Sequence, residues 1–239
     1  MNKPEKISQL IEGAETYIKS GNHGKAQQKL YQAFSMANKT QNVEATNKIL
    51  DLLQTIGLLA TNLQYVELKP LKNEGLILDI GGGGEGIVGR LNGEQVVAID
   101  TREEELEGTQ NEALKVVMDA SDLKFLPDSF HMCTAFFSFM YIPKRKHLKV
   151  FEEVYRVLTE NGKFAVWDVR IPASERKFKE FIVPLRITLP DEVVETGYGV
   201  KWQVQNMEHF KQIAHQTRFQ VVNEWSREEI FHLEMIKQG

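Results

Sequence analysis

Four consecutive glycines, Gly81 to Gly84, follow an apolar run in the stretch LILDIGGGGEG, residues 76–86. Each glycine costs roughly 0.5–1 kcal/mol relative to alanine in lost backbone freedom. A chain keeps four in a row only where something needs bare backbone. The apolar run has strand length, and the glycines stand where a strand gives way to a helix, so the stretch restricts the fold to α/β architectures with loops at strand ends.

The rest of the chain divides near residue 70. Residues 1–69 contain no arginine, are rich in Gln, Asn and Thr, and carry helical periodicity. Ile7, Leu10, Ile11, Ala14 and Ile18 recur at helix spacing, as do Ala26, Leu30, Ala33, Phe34 and Ala37, and then Ile49, Leu52, Leu53 and Ile56. The breaks SGNHG and KTQN separate three expected helices. From Glu74 onward short apolar runs alternate with helical segments. Strands are expected at LILDI, QVVAID, LKVVMD, HMCTAFFSFM and KFAVWDV, and a helix over Lys144 to Leu158. This alternation predicts a Rossmann-like, mostly parallel sheet with helices on both faces. A lid-like insertion of about residues 173–203 forms a strand pair turning near Pro190–Asp191, followed by a helix of about Met207 to Gln216. FQVVNEW and IFHLEMIK, closely joined by SREE, predict an antiparallel last strand. The expected organisation is a helical extension, 1–69, and an α/β domain, 70–239.

Gly81, Gly83 and Gly86 satisfy G-x-G-x-x-G between a strand and a helix, a pattern that serves two cofactors. A dinucleotide would set its pyrophosphate on the loop and its ribose on an acid about twenty residues on; Asp100 stands there. Glu85 would then face the pyrophosphate, and two like charges about 4 Å apart at an effective dielectric near 20 cost roughly 4 kcal/mol. S-adenosylmethionine carries a sulfonium and an ammonium against one carboxylate. Acids around the loop, Asp79 and Glu85, therefore favour S-adenosylmethionine.

The same stretch resembles motif I of the class I S-adenosylmethionine-dependent methyltransferases, of the type 11/25-like domain, whose pattern is D/E-x-G-x-G-x-G. Asp79, Gly81 and Gly83 match, while Glu85 replaces the third glycine between Gly84 and Gly86. MDASDLKFLPDSFHM resembles a second family segment through Asp119, Ala120, Leu123, Ser129 and Phe130, with His131 in place of an aspartate. FEEVYRVLTENGKFAVWD resembles a third through Arg156, Val157, Leu158 and Gly162, with Glu160–Asn161 in place of Pro–Gly. HFKQIAHQTRFQVV is a weaker match.

The resemblance implies a site. The Gly81, Gly82 and Gly83 backbone would lie against the methionine part of S-adenosylmethionine, with Asp79 turned toward its amino group. Asp100 would accept the ribose hydroxyls and Thr101 would help line the adenine. Asp119 would take the adenine amino group, the Ala120 amide a ring nitrogen, and Phe136 or Phe137 would border the sulfonium. S-adenosylhomocysteine would be the product. Each role has a structural rival: Asp79 capping amides, Asp119 forming an Asx-turn, Asp100 capping the helix that begins in TREEELE, and the phenylalanines serving as core.

Methyl transfer requires a base only if the acceptor must lose a proton. No catalytic tetrad and no metal-ligand set is present. Tyr141 and Asp168 are the candidate catalytic groups, with Arg170 and Tyr198 as further polar candidates, on FMYIP, WDVRIP and the segment containing ETGYG. His147 and His131 are expected at the surface. The reading is an S-adenosylmethionine-dependent methyltransferase acting on a small molecule. The alternatives are a nicotinamide-dependent oxidoreductase and a non-catalytic S-adenosylmethionine-binding protein.

A formal net charge of −4 gives no reason to expect nucleic acid as partner. The lack of a long apolar span or leader predicts a cytoplasmic protein without membrane attachment. The single cysteine, Cys133, reads as a small buried hydrophobe. The N-terminal helices resemble part of one tetratricopeptide unit through Leu10, Ala14, Tyr17, Ala26, Leu30 and Ala33. One unit cannot stack into a solenoid, so the extension is expected to cap the cofactor site or pair with a second copy as a homodimer, with a partner-docking module as the alternative.

Overall fold

The computed structural model describes residues 3–72, 74–174 and 178–238. In chain order the elements are α1 Lys3–Lys19, α2 His23–Lys39, α3 Val43–Thr55, β1 Leu58–Ala60, β2 Gln64–Glu67, β3 Ile77–Ile80, α4 Ile87–Asn92 and β4 Val96–Asp100. There follow α5 Glu103–Glu107, β5 Leu114–Val117, β6 Phe130–Phe136, α6 His147–Val157, β7 Leu158–Val169, β8 Glu180–Thr188, β9 Val193–Lys201, α7 Met207–Gln216, β10 Phe219–Arg227 and β11 Ile230–Lys237. The chain forms two compact units, one of residues 1–65, 174–186 and 195–202, the other of 66–173, 187–194 and 203–239.

The first unit contains the three expected helices. Asn22 and Asn42 cap α2 and α3 by accepting from the amides of Lys25 and Ala45, a cap worth about 1 kcal/mol over alanine. The apolar stripes meet in one core of Ile7, Ile11, Leu30, Phe34, Ile49 and Leu53, which also takes in Leu58 and Ile182. β1 and β2 are strands that sequence periodicity does not predict. β1 pairs in parallel with β8, Leu58 opposite Glu180 and Ala60 opposite Ile182, and β9 pairs β8. The insertion is thus the expected strand pair.

The second unit is built on a seven-stranded sheet of order β10-β11-β7-β6-β3-β4-β5. β3 pairs β4 and β6 in parallel, and β11 runs antiparallel to both β7 and β10, as the short SREE connection requires. The strand order reverses between β3 and β6, so the crevice beyond their carboxyl ends is where such sheets take ligands. α6 and α7 cover one face over Phe139, Phe151, Phe164 and Phe210, with Phe139–Phe210 ring centroids 5.1 Å apart. Cys133 is fully buried in this core.

β6 ends at Phe136, short of the expected Met140. Phe137 adopts a left-handed backbone, φ 51°, and its amide donates to the Trp167 carbonyl at 2.8 Å, which turns the chain out of the sheet. α6 starts at His147 after a 3-10 turn over Lys144–Lys146, later than the expected Lys144.

His147 overturns the expectation of a surface residue. It is fully buried, with its ring stacked on Phe210 at 5.4 Å. Nε2 lies 2.9 Å from the Ile142 carbonyl and Nδ1 lies 3.0 Å from Nε2 of His209. The carbonyl can only accept, so His147 donates from Nε2 and accepts at Nδ1 from His209. Burial, with the Lys144 charge adding to it and His147 disfavouring a second proton on the pair, holds His209 down at about 4. Burial also holds His147 below its ordinary value. Native His209 therefore stays neutral where the unfolded chain would bind a proton. Its contribution to stability is full above about 6.5 and is lost as pH falls toward about 4. A proton NMR titration should give His209 a midpoint near 4, and His209→Gln should remove that acid limb from the melting curve. A midpoint near 6.5 would contradict the pairing.

Candidate active site

The glycine loop is shaped first by the protein itself. Gly81 has φ 71°, and a Cβ there would come 2.5 Å from Cβ of Ser138. A Cβ on Gly82 would meet Asp79 Oδ2 at 2.7 Å and Ala98 Cβ at 2.8 Å. One on Gly83 would meet Glu105 Cβ at 2.7 Å, and one on Gly86, φ 57°, would meet Thr109 Cγ2 at 2.2 Å. Bare backbone is needed because β4, α5 and the loop after β6 press against it. The amides of Gly81 and Gly82 donate to the Ile99 carbonyl at 2.8 and 3.0 Å, and that of Gly84 donates to Glu105 at 2.9 Å. Thr109 Oγ1 donates to the Gly84 carbonyl, and Asn111 Nδ2 to that of Gly86, both at 3.0 Å. The Gly83 amide makes no hydrogen bond among the described residues.

Asp79 lies beneath this loop at the end of β3, buried, with Oδ1 accepting from Thr134 Oγ1 at 2.7 Å. Burial pushes its carboxyl up to about 7, the Thr134 hydroxyl opposing and the Asp100 charge adding to the rise. A cationic group arriving here would pull Asp79 back to its ionised form. Asp100 closes β4; its Oδ1 accepts from the Arg102 amide at 2.9 Å, and its Oδ2 stands 3.1 Å from where a Gly83 Cβ would lie. Asp100 does not cap α5, whose N-cap is Arg102 without a side-chain cap bond; one of its oxygens holds the Arg102 amide and the other faces the loop. Thr101 is exposed beside it.

Asp119 forms the Asx-turn, its rival role. Oδ1 accepts from the Ser121 amide and hydroxyl at 2.8 and 2.7 Å, and Oδ2 accepts from Lys146 Nζ at 2.6 Å. Partial burial alone would raise this carboxyl, but the bonds from Lys146 and Ser121 outweigh it and hold it at about 2. Ala120 is buried next to it, and Phe136 and Phe137 are both buried, their rings edge to face at 4.9 Å.

Asp168 and Tyr141 differ sharply in setting. Asp168 is fully buried. Oδ1 accepts from Gln205 Nε2 at 2.6 Å and the Val169 amide at 2.8 Å, and Oδ2 accepts from the Met140 amide at 3.3 Å. Burial pushes its carboxyl up to about 7 against these donors, which favour the charge. Tyr141 is 47% exposed. Burial of its hydroxyl end and the charges of Glu85 and Asp168 raise the phenol above its ordinary value, with Arg102 opposing. Tyr141 is a hydrogen-bond donor at neutral pH, not a phenolate. Arg170 is exposed and paired with Glu229 at 2.8 Å, and Tyr198 belongs to the first unit.

Three residues escape sequence reasoning. Ser138 Oγ is buried against Gly81 with no hydrogen-bond partner among the described residues; its one signal is a lone hydroxyl inside AFFSFM. Gln205 Oε1 is likewise buried without a partner while its amide nitrogen holds Asp168. Lys146, on Asp119, carries no sequence signal. Arg90 donates from Nε to the Glu85 carbonyl at 2.6 Å and from Nη1 to Glu192 at 3.0 Å, which ties residues 187–194 to the helix that follows the loop. Among the described residues no group of His, Cys, Asp or Glu could hold a metal, and no helix is long and apolar enough to cross a membrane.

This arrangement fits S-adenosylmethionine. Asp79, Glu85, Asp100 and Glu105 place four acids around the loop, Asp79 among them ionising as a cation arrives, and the unpartnered Gly83 amide and Ser138 hydroxyl supply hydrogen-bonding groups. A family model described as a methyltransferase domain matches residues 78–166. No curated protein matches the chain. Among solved structures the chain is similar to an S-adenosylmethionine-dependent methyltransferase of Methanosarcina mazei, 16% identical, with a TM-score of 0.52, covering 71% of this chain and 95% of that one. It is also similar to a protein of Pyrococcus horikoshii, 17% identical, with a TM-score of 0.52, covering 69% of this chain and 83% of that one. These likenesses concern the fold. The family match gives no support to the nicotinamide or the non-catalytic reading. It runs from β3 to β7 through the glycine loop, Asp100 and Asp119, and the stretch it covers is a methyltransferase domain.

Proposed function

We propose that this methyltransferase acts on a small-molecule acceptor, holding S-adenosylmethionine along the carboxyl ends of β3, β4 and β6. The observation that carries the cofactor placement is the join of Gly81 to Ser138 at the strand-order reversal, with Asp79 below and Asp100 beside it. When bound, the cofactor supplies a methyl group already activated on a positively charged sulfur. The chain's task is then to bind, orient and exclude water. In this reading the Gly81–Gly83 backbone and Asp79 hold the amino-acid end, and Asp100, with Thr101, takes the ribose side through its free Oδ2. Asp119, Ala120 and Phe136 border the rest; Asp119 keeps its hold on Ser121 and Lys146 while doing so.

Tyr141 presents a neutral phenol toward the acceptor and orients it by donating a hydrogen bond. Asp168 is a positioning residue that fixes the Met140 amide, and with it the 138–142 turn, by accepting from it. A small acceptor is supported by the charge balance, which gives a polyanion nothing to hold. A homodimer through the N-terminal helices and a cytoplasmic setting fit the same reading.

Calorimetric titration with S-adenosylhomocysteine tests the placement. Asp100→Ala removes the carboxylate that takes the ribose side and should weaken binding at least tenfold, about 1.4 kcal/mol or more, with NADH showing no binding to either protein. Equal affinity in the variant would refute the role of Asp100.

A further inference from the structure

The first unit holds a cavity of about 320 Å³ between α2 and the β8–β9 ribbon, and every residue lining it belongs to that unit. This volume is at the lower end of what small-molecule sites occupy. On α2, Tyr31, Ser35 and Asn38 recur at i, i+4 and i+7, beside the stripe of Leu30, Ala33, Phe34 and Ala37 that faces the core. Opposite them stand Gly197 and Gly199, two apart on β9 and therefore on one face of the strand.

Those two glycines have no reason within the unit. Neither takes a left-handed backbone. A Cβ on Gly199 would meet nothing within 4 Å, and one on Gly197 only Pro184 Cα at 3.9 Å and the Val183 carbonyl at 4.0 Å. The contrast is with Gly81 and Gly86, where the protein fills the space a side chain would take. A glycine inside a strand weakens it and often marks where another group approaches the backbone. A β-branched residue at 199 would strengthen the strand and add bulk beside the cavity that this position lines.

The remaining surfaces define the ligand. Phe34, Ile182, Pro184 and Leu185 make an apolar wall. At the mouth Glu195 is engaged by Lys39 at 3.4 Å and Arg186 at 3.6 Å. The side chains of Ser35 and Asn38 make no hydrogen bond among the described residues and lie on the cavity's helix side. We infer that this cavity binds a neutral, planar, mainly apolar molecule of one or two rings bearing a hydroxyl or amide. The ring lies flat on the bare strand at Gly197 and Gly199, and its polar group meets Asn38 or Ser35.

The inference stands apart from the methyl-transfer reading, and its test keeps the two separate. 2-Naphthol and the charged, similarly sized 2-naphthoate are titrated calorimetrically into the wild type, Gly199→Leu and Gly197→Val, with S-adenosylhomocysteine titrated in parallel. The wild type should bind 2-naphthol at least tenfold more tightly than 2-naphthoate. Both variants should lose 2-naphthol at least tenfold while keeping their circular dichroism and their affinity for S-adenosylhomocysteine. No binding of 2-naphthol by the wild type, equal binding by a folded variant, or equal affinity for 2-naphthoate would overturn the inference. Failure of S-adenosylhomocysteine to bind would count against the cofactor site alone.

Discussion

Gly81→Ala should destabilise the protein by about 2–5 kcal/mol and weaken S-adenosylhomocysteine binding at least tenfold. Two terms add at this position. The backbone has φ 71°, and a residue with a Cβ pays about 1–2 kcal/mol in the left-handed region. The new methyl would also come 2.5 Å from Ser138 Cβ, and forcing an extra carbon into packed surroundings costs about 1–3 kcal/mol. Two further variants separate them. Gly21→Ala meets φ 74° at the end of α1 with nothing within 4 Å, so it should show the backbone term alone. Gly81→Ala with Ser138→Gly should recover the steric share and leave a deficit like that of Gly21→Ala. Urea melts measure all three. A Gly81→Ala protein as stable as the wild type would mean that the loop and the 138–142 turn do not meet as described.

Elements with a strong periodic pattern are legible in the amino-acid sequence itself. The sheet of the second unit follows from apolar runs alternating with helical ones, and its antiparallel end from a connection too short for a crossover. β1 and β2 are not legible, because strands of three and four residues carry little local signal. β1 exists through pairing with β8, some 120 residues later. His147 misleads through its neighbours: KRKHLK looks solvated, but His147 lies on the spacing of Val150, Phe151, Val154 and Val157, the buried stripe of α6. Periodicity is the better guide than composition there. At the site, the acids and glycines can be named from their order along the chain. Their partners cannot. Ser138, Glu105 and Thr109 reach the glycine loop only because β6 lies next to β3 and α5 follows β4 in space.

Asp168→Ala carries the other large effect, and its cause distinguishes a positioning acid from a catalytic one. Three donors converge on this carboxylate, Gln205 Nε2, the Val169 amide and the Met140 amide. Each buried donor left without a partner costs about 1–3 kcal/mol. The Gln205 amide keeps a bond to the Val169 carbonyl at 3.0 Å, so the loss falls mainly on the two backbone amides, and about 2–6 kcal/mol is expected. Asp168→Asn should cost less, since one oxygen remains, but its NH₂ must face a donor. The pH dependence has a definite sign. Burial raises the native carboxyl to about 7 from an ordinary value of 3.8, so the unfolded chain gives up its proton first. Stability contributed by the protonated group is complete below about 3.8 and is lost as pH rises through about 7. The deficit of Asp168→Asn relative to wild type should therefore be widest in acid and narrow toward pH 7, in melts taken across that range. A general base would behave otherwise: the Asn variant would keep its stability and lose turnover at saturating acceptor. For a positioning residue, release of the 138–142 turn should raise the acceptor KM and lower the melting temperature together, because Tyr141 and the Met140 amide move as one segment.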